Sequence, residues 1–196
     1  MKIIYLIRHG KASLDGTDRN RGLTEEGIEH ANQISKILIN TKPKIQKIYS
    51  SPLNRAILTI EPLAKSLELE IKIIEDLKEK ITGDTSGKNL NDEKRKMWDD
   101  FDSKLPDGES SSEASKRALS ALNLIKNELS EENCAAVQSH GTLIALILHH
   151  FDPLFGFHEW KSMTMPDIYK ISFTDDNAKV EHIGCDSIET FKIGDK

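Results

Sequence analysis

The chain has 196 residues, of which 37% are hydrophobic and 30% charged, and its formal net charge is −5. These values predict one globular domain and exclude a disordered or fibrous chain, and the negative charge argues against a nucleic-acid-binding surface. No apolar run approaches the roughly 20 residues of a transmembrane helix, and the run at residues 3–7 is too short for a signal peptide. The two cysteines lack metal-binding or disulfide spacing, so we expect a cytoplasmic protein with no membrane partner.

Four short apolar runs predict buried strands. They lie at residues 3–7, 45–49, 71–74 and 134–138. The first is rich in isoleucine, which is typical of a strand buried on both faces of a parallel sheet. Two further runs, at residues 168–174 and 179–184, flank the sequence Asp-Asp-Asn and predict a hairpin. Because helical patterns separate the first four runs, we expect an α/β fold with a mainly parallel central sheet.

Helix signals lie between these strands. Thr24 predicts the N-cap of the first helix, with Leu23 packing on Ile28 as a hydrophobic staple. A second helix is expected to open at residues 51–52 (Ser-Pro), because proline is favoured at the first helical position. A capping-box pattern at residues 110–113 predicts the start of a long helix before the fourth strand.

Residues 80–108 differ from the rest of the chain in being polar and rich in mixed charges. Met97, Trp98 and Phe101 are the apolar residues that could anchor this segment. We therefore predict a small insertion or lid over the sheet, within a single domain that comprises residues 1–196.

Two histidines follow predicted strands at the point where each strand ends. Arg8 and His9 follow the first strand, and His140 follows the fourth, and a glycine comes directly after each histidine. Ligands of such sheets bind beyond the carboxyl ends of the strands. Arg55 lies in the first turn of the second predicted helix, and both arginine forks and helix N-termini bind anions. A single histidine more often has an ordinary structural role, but this joint placement favours a phosphate pocket.

Six short motifs occur in order along the chain. They are residues 6–10 (Leu-Ile-Arg-His-Gly), 23–27 (Leu-Thr-Glu-Glu-Gly), 49–56 (Tyr-Ser-Ser-Pro-Leu-Asn-Arg-Ala), 77–79 (Leu-Lys-Glu), 107–110 (Asp-Gly-Glu-Ser) and 139–141 (Ser-His-Gly). Together they resemble the histidine phosphatase superfamily, also called the phosphoglycerate mutase-like family, over nearly the whole chain. The resemblance implies a three-layer α/β sandwich with a mainly parallel central sheet and a small lid insertion.

The resemblance also implies roles for the residues at the strand ends. His9 would be the nucleophile, attacking phosphorus through one ring nitrogen while the other donates to a backbone carbonyl. Arg8, Arg55 and His140 would surround the phosphoryl oxygens, and their positive field should keep His9 unprotonated. No metal or cofactor is expected, because these side chains supply the charge.

A proton donor is needed for the leaving alcohol. Glu79 matches the acid-bearing segment of the family, and Glu75 or Asp76 is the alternative. Glu109 could hold an arginine or a loop near the site, but a plain loop role before the helix cap is the favoured interpretation.

These observations predict a phosphatase that hydrolyses a phosphomonoester through a phosphohistidine intermediate, acting on a small phosphorylated substrate or a phosphoprotein. One alternative is a mutase, although the mutases that the chain resembles are typically longer. Another is a non-catalytic phospho-ligand binding module, against which His9, Glu79 and His140 argue because a binder needs no nucleophile. A nucleotide-binding Rossmann protein is disfavoured, since no glycine-rich loop opens the first helix.

Overall fold

The computed structural model describes residues 1–174 and 177–185, and these contain one six-stranded sheet. Its strands are β1 (Lys2–Arg8), β2 (Ile45–Ser50), β3 (Ile71–Ile73), β4 (Cys134–Ser139), β5 (Asp167–Phe173) and β6 (Ala178–His182). The strand order is β3-β2-β4-β1-β5-β6. The pairs β1–β4, β2–β4 and β2–β3 are parallel, while β5 runs antiparallel to β1 and β6. The mainly parallel sheet and the antiparallel pairing of the predicted hairpin strands are thus confirmed, while Asp175 and Asp176 lie outside the described residues.

Helices cover both faces of this sheet. They are α1 (Glu25–Leu38), α2 (Asn54–Leu67), α3 (Leu90–Asp99), α4 (Ser111–Glu128), α5 (Gly141–Phe151) and α6 (Phe157–Ser162). Apolar side chains of α1 and α2 form one core layer with the sheet, and those of α4 and α5 form the other. The predicted three-layer α/β sandwich is therefore confirmed. Within the described ranges, no helix has the length and apolar composition needed to cross a bilayer.

The first strand is buried on both faces, as its isoleucine content predicts. Ile3, Tyr5 and Ile7 contact the layer of α1 and α2, whereas Ile4 and Leu6 contact the layer of α4 and α5. Each of these side chains is at most 6% exposed. Burial of one such aliphatic side chain contributes roughly 1.5–3 kcal/mol, so β1 fixes the position of the loop that follows it.

The second helix begins at Asn54, so the prediction that it opens at residues 51–52 is wrong. The backbone N–H of Ser51 donates to the carbonyl of Gln138 at 3.0 Å, which extends the pairing of β2 with β4. The Ser51 hydroxyl in turn accepts the N–H of Leu53 at 3.2 Å. These contacts and the extended backbone of Leu53 delay the helix, which starts two residues after the proline.

The first helix is capped as predicted but presents a different face to the core. Thr24 accepts the N–H of Gly27 at 3.1 Å, which confirms the N-cap. Ile28 is 54% exposed, so the predicted staple with Leu23 is wrong. The buried face instead begins at Gly27 and continues through Ala31, because a helix places residues four apart on one side.

The segment at residues 80–108 contains a helix that the sequence did not predict. Helix α3 has no buried residue, and its charged sequence gives no apolar stripe. Trp98 and Phe101 pack against the core beside the ring of His149, with ring centroids 5.8 and 5.0 Å away. Leu105 is a buried anchor that the prediction missed. Helix α6 was also not predicted, and the single-domain and lid assignments remain predictions.

The loop after β1 and the start of α1 approach each other too closely for a side chain. A Cβ on Gly27 would lie under 3.0 Å from the carbonyl oxygen of Lys11, and one on Gly10 would lie 2.8 Å from that of Gly27. Both obstacles are backbone atoms, so neither can move aside cheaply.

We expect Gly27→Ala to lower the free energy of unfolding by roughly 1–3 kcal/mol through overpacking, although alanine has the higher helix propensity. Urea denaturation measures this change. Gly22→Ala is the matched control, because its Cβ would meet only a Leu58 methyl at 3.7 Å. Equal stability of the Gly27 and Gly22 variants would contradict the close approach.

Candidate active site

Four of the five predicted site residues line one cavity of about 660 Å³. They are Arg8, His9, Arg55 and Glu79. The fifth, His140, is fully buried behind them, and its ring packs against that of His9 with centroids 5.1 Å apart. The cavity lies at the carboxyl ends of the parallel strands β1, β2 and β4, because each strand leads directly into one of these segments.

The ring of His9 is held in one orientation by the loop that follows β1. Its Nδ1 lies 2.7 Å from the carbonyl oxygen of Gly10. Since a carbonyl only accepts, Nδ1 carries the proton and Nε2 is unprotonated. Nε2 accepts a hydrogen bond from Nε of Arg55 at 3.3 Å. The backbone N–H of Gly10 donates to Thr59 Oγ1 at 3.0 Å and fixes the loop itself.

The pKa of His9 is lowered to about 4, chiefly by burial. Arg55 and Arg8 lower this pKa further, while the hydrogen bond with Gly10 opposes the shift. The positive field that was expected from the sequence is present. Desolvation of the imidazolium nevertheless lowers the pKa of His9 more than the field does. His9 is therefore neutral over the physiological pH range.

Both site arginines are fixed by backbone carbonyls. Arg8 Nη1 donates to the carbonyls of Met163 and Thr164 at 2.8 and 3.0 Å. Arg55 Nη1 donates to the carbonyl of Asp18 at 2.7 Å and lies 3.2 Å from its carboxylate. The buried Nε of Arg8 has no hydrogen-bond partner among the described residues. Burial lowers the pKa of both guanidinium groups.

His140 contributes a second neutral imidazole. Its Nε2 lies 2.7 Å from Ser51 Oγ, and Ser51 Oγ also accepts the N–H of Leu53. Because the hydroxyl has a second lone pair as well as its own proton, it can pair with either neutral tautomer of His140. The buried Nδ1 of His140 has no partner in the described part of the chain. Burial is the largest cause that holds the pKa of His140 well below its usual value, and the charge of Arg55 acts in the same direction.

Glu79 reaches the cavity from the end of a short 3₁₀ turn at Glu75–Leu77. Its carboxylate accepts the N–H groups of Thr142 and Leu143 in the first turn of α5, both at 3.1 Å. It therefore caps a helix whose own N-cap residue, His140, provides no side-chain cap. The alternative carboxylates of the turn do not line this cavity, and Glu75 instead pairs with an exposed arginine.

Glu109 holds an arginine, which corrects the favoured plain loop role. It pairs with Arg117 of α4, and both side chains are only 15% exposed. Arg117 also donates to the backbone carbonyls of Asp76, Lys78 and Glu79. Arg117 was not predicted from the sequence. The signal that could have identified it is that it is an arginine in a chain whose basic residues are mostly lysine.

The cavity is also lined by charged residues that were not predicted from the sequence to belong to the site. They are Lys11, Asp18, Arg21, Lys78 and Lys80. The irregular polar loop at residues 11–22 gave no periodicity from which an inward-facing residue could be recognised. Within the residues that the structure describes, no group of three or more His, Cys, Asp or Glu could hold a metal ion.

Known proteins share sequence with this chain at moderate identity. The probable phosphoglycerate mutase GpmB of Escherichia coli O1:K1 is 24% identical over 168 residues, which are 80% of this chain and 76% of that protein. The transcription factor tau 55 kDa subunit of Saccharomyces cerevisiae is 29% identical over 79 residues, or 35% of this chain. The matched part is only 18% of that yeast protein.

The fold is shared with solved structures. The phosphoserine phosphatase of Entamoeba histolytica, in complex with phosphoserine, superposes with a TM-score of 0.75 at 24% identity. The superposition covers 94% of this chain and 98% of that one.

A family model matches residues 4–186, a range that begins in β1 and takes in every motif described above. Its description is "Histidine phosphatase superfamily (branch 1)". By this match and its fold, the chain belongs to the histidine phosphatase superfamily.

Proposed function

We propose that this protein is a phosphatase that hydrolyses a phosphomonoester through a phosphohistidine intermediate on His9. The observation that carries the proposal is the environment of one atom. Nε2 of His9 is unprotonated, belongs to a neutral imidazole and accepts a hydrogen bond from the Arg55 guanidinium in a cavity lined by further cations. A nucleophile next to fixed positive charge is the arrangement that phosphoryl transfer requires.

In the first step, the lone pair of His9 Nε2 forms a bond to phosphorus, and the bond between phosphorus and the ester oxygen breaks. The leaving alkoxide takes the proton of the Glu79 carboxyl group and departs as an alcohol. The products are a phosphohistidine and the Glu79 carboxylate.

In the second step, water attacks phosphorus and gives one proton to the Glu79 carboxylate. The P–N bond breaks, phosphate leaves, and the neutral imidazole of His9 and the protonated Glu79 are regenerated. Transfer of the phosphoryl group to a second alcohol in place of water would be mutase chemistry. The similarity to the probable phosphoglycerate mutase of E. coli supports this second candidate function.

Arg8, Arg55 and His140 have the proposed role of binding the phosphoryl oxygens. Buried atoms without a partner among the described residues support an anion site here: the Nε donors of Arg8 and Arg21, which both line the cavity, and Nδ1 of His140. Buried donors normally have acceptors. Preorganised donors of this kind stabilise charge that develops in the transition state. A cavity of about 660 Å³ suits a small phosphorylated substrate, and phosphoserine, the ligand of the Entamoeba structure, is a suitable first probe.

The first prediction concerns the protonation of His9. NMR of the histidine rings should find the Nδ1–H tautomer and a titration of His9 near pH 4, because burial disfavours the imidazolium. The ring signals should therefore stay at their neutral positions between pH 8 and pH 5. Titration of His9 near its ordinary value of 6.5, or an Nε2–H tautomer, would contradict the proposed nucleophile.

The second prediction separates nucleophile from acid. His9→Ala should abolish the phosphoenzyme and nearly all turnover. Glu79→Gln should slow alkyl phosphates by about 10²–10⁴-fold, the usual reach of general acid catalysis. It should slow formation of the intermediate from p-nitrophenyl phosphate less, because that leaving group needs little protonation, and an acid-labile phosphoenzyme should accumulate.

Glu75→Gln is the matched control, since Glu75 lies in the adjoining 3₁₀ turn but not at the cavity. Glu75→Gln should leave the turnover rates of both substrates nearly unchanged. Equal losses of Glu79→Gln on alkyl and aryl phosphates, with no trapped phosphoenzyme, would mean that Glu79 is not the acid.

The third prediction concerns metal removal. Because arginine and histidine supply the positive charge of the proposed site, activity should survive dialysis against excess EDTA. Loss of turnover that is restored by magnesium or zinc would reject the proposed chemistry.

A further inference from the structure

The chain segment that bears Glu79 is attached to helix α4 through one arginine. Arg117 Nη1 donates to the carbonyl oxygens of Asp76 and Lys78 at 2.6 and 2.9 Å. Its Nη2 donates to the carbonyl oxygen of Glu79 at 3.2 Å. Its Nε donates to Glu109 Oε2 at 3.1 Å, and Nη2 contacts Glu109 Oε1. One guanidinium thus binds three backbone carbonyls and a carboxylate.

Glu109 fixes the chain on the other side of Glu79. Its Oε1 accepts the N–H of Ile81 at 2.9 Å, and its own N–H donates to the Ile81 carbonyl at 2.9 Å. The segments around residues 82 and 108 lie so close together that a Cβ on Gly108 would lie 2.6 Å from the carbonyl oxygen of Thr82. Arg117 and Glu109, which we call the Arg117 clamp, therefore hold the backbone both before and after the carboxylate.

Only an arginine can make these contacts together. Its planar fork presents five donors in fixed directions, whereas a lysine ammonium is a compact point charge. The pair is largely buried, and Glu109 neutralises the guanidinium. Replacing Arg117 would leave the carbonyls of residues 76, 78 and 79 without this donor, and a free backbone segment would lose its defined position.

We propose that Arg117 is a positioning residue, oriented by Glu109, which holds the Glu79 carboxyl group in the cavity against the first turn of α5. The proposal rests on the proposed function, because the acid role of Glu79 belongs to that function. Neither clamp residue lines the cavity, and the donors of Arg117 are engaged by Glu109 and backbone carbonyls, so its effect on substrate passes through Glu79. A small displacement of a catalytic group can reduce a rate about 10²-fold, so the clamp affects the chemistry that needs a proton donor.

The test is Arg117→Lys, with Arg95→Lys as the matched control. Arg95 lies on α3 over the ring of Phe157, outside both the clamp and the cavity lining. Amide hydrogen exchange of Thr142 and Leu143, measured by NMR, reports whether the Glu79 carboxylate still caps α5. The kcat/KM values for phosphoserine and p-nitrophenyl phosphate report whether proton donation is intact.

We expect Arg117→Lys to raise exchange of the two amides at least about 10-fold and to lower kcat/KM for phosphoserine about 10-fold, a fraction of the full general-acid effect. The kcat/KM for p-nitrophenyl phosphate should change less than about twofold, because kcat/KM reports the steps up to the phosphoenzyme and this leaving group needs little protonation. Arg95→Lys should change none of these quantities. A merely structural role of Arg117 would slow both substrates equally.

Glu109→Gln provides a second variant with the same expected pattern should Arg117→Lys fold poorly. Unchanged exchange of Thr142 and Leu143 in a folded clamp variant would overturn the clamp itself. Altered exchange with equal losses on both substrates would overturn its link to proton donation. Failure of the proposed function is recognised separately, because Glu79→Gln would then show no difference between alkyl and aryl substrates while the exchange measurement still decides the clamp.

Discussion

The hydrogen bond between His9 Nδ1 and the Gly10 carbonyl is the contact on which the site depends. It sets the tautomer of the imidazole and so leaves a lone pair on the nitrogen that approaches Arg55. The same loop is tied to α2, because Thr59 accepts the Gly10 N–H and donates to the Arg55 carbonyl. The Thr59 hydroxyl therefore fixes the position of His9 relative to Arg55, and β1 and α2 hold these two residues in place.

The electrostatics of the cavity follow from burial rather than from charge alone. Arg8 and Arg55 keep their charge while the two imidazoles beside them stay neutral, since burial and neighbouring cations act together on a histidine. The buried Nε donors of Arg8 and Arg21, both in the cavity lining, have no partner in the described chain, and neither has Nδ1 of His140. Unmatched donors lower stability, and they are the kind of local conflict that is expected where a fold is shaped for a ligand.

Features set by local sequence could be predicted, and those set by distant contacts could not. The Thr24 cap and the doubly buried first strand follow from short patterns, and both were found. The helix start at residues 51–52 was misjudged because the proline signal competes with sheet pairing to Gln138, far along the chain. That Glu109 could hold an arginine was considered but not favoured, and Arg117 was not identified, since its carbonyl partners lie some 40 residues away. The motifs located the candidate site, but burial, tautomers and positioning contacts required the fold.

The buried neutral histidines also link folding to proton uptake. His9 has a pKa of about 4 in the folded chain against 6.5 in a solvated one, so the unfolded state binds more protons between these pH values. The stability that this difference represents is fully present above pH 6.5 and is lost as the pH falls towards 4, by on the order of 3 kcal/mol for His9 alone. His140 shifts in the same direction. The features that keep an imidazole available for phosphorus thus make this fold less stable in mild acid through its interior, in addition to the contribution of its surface carboxylates.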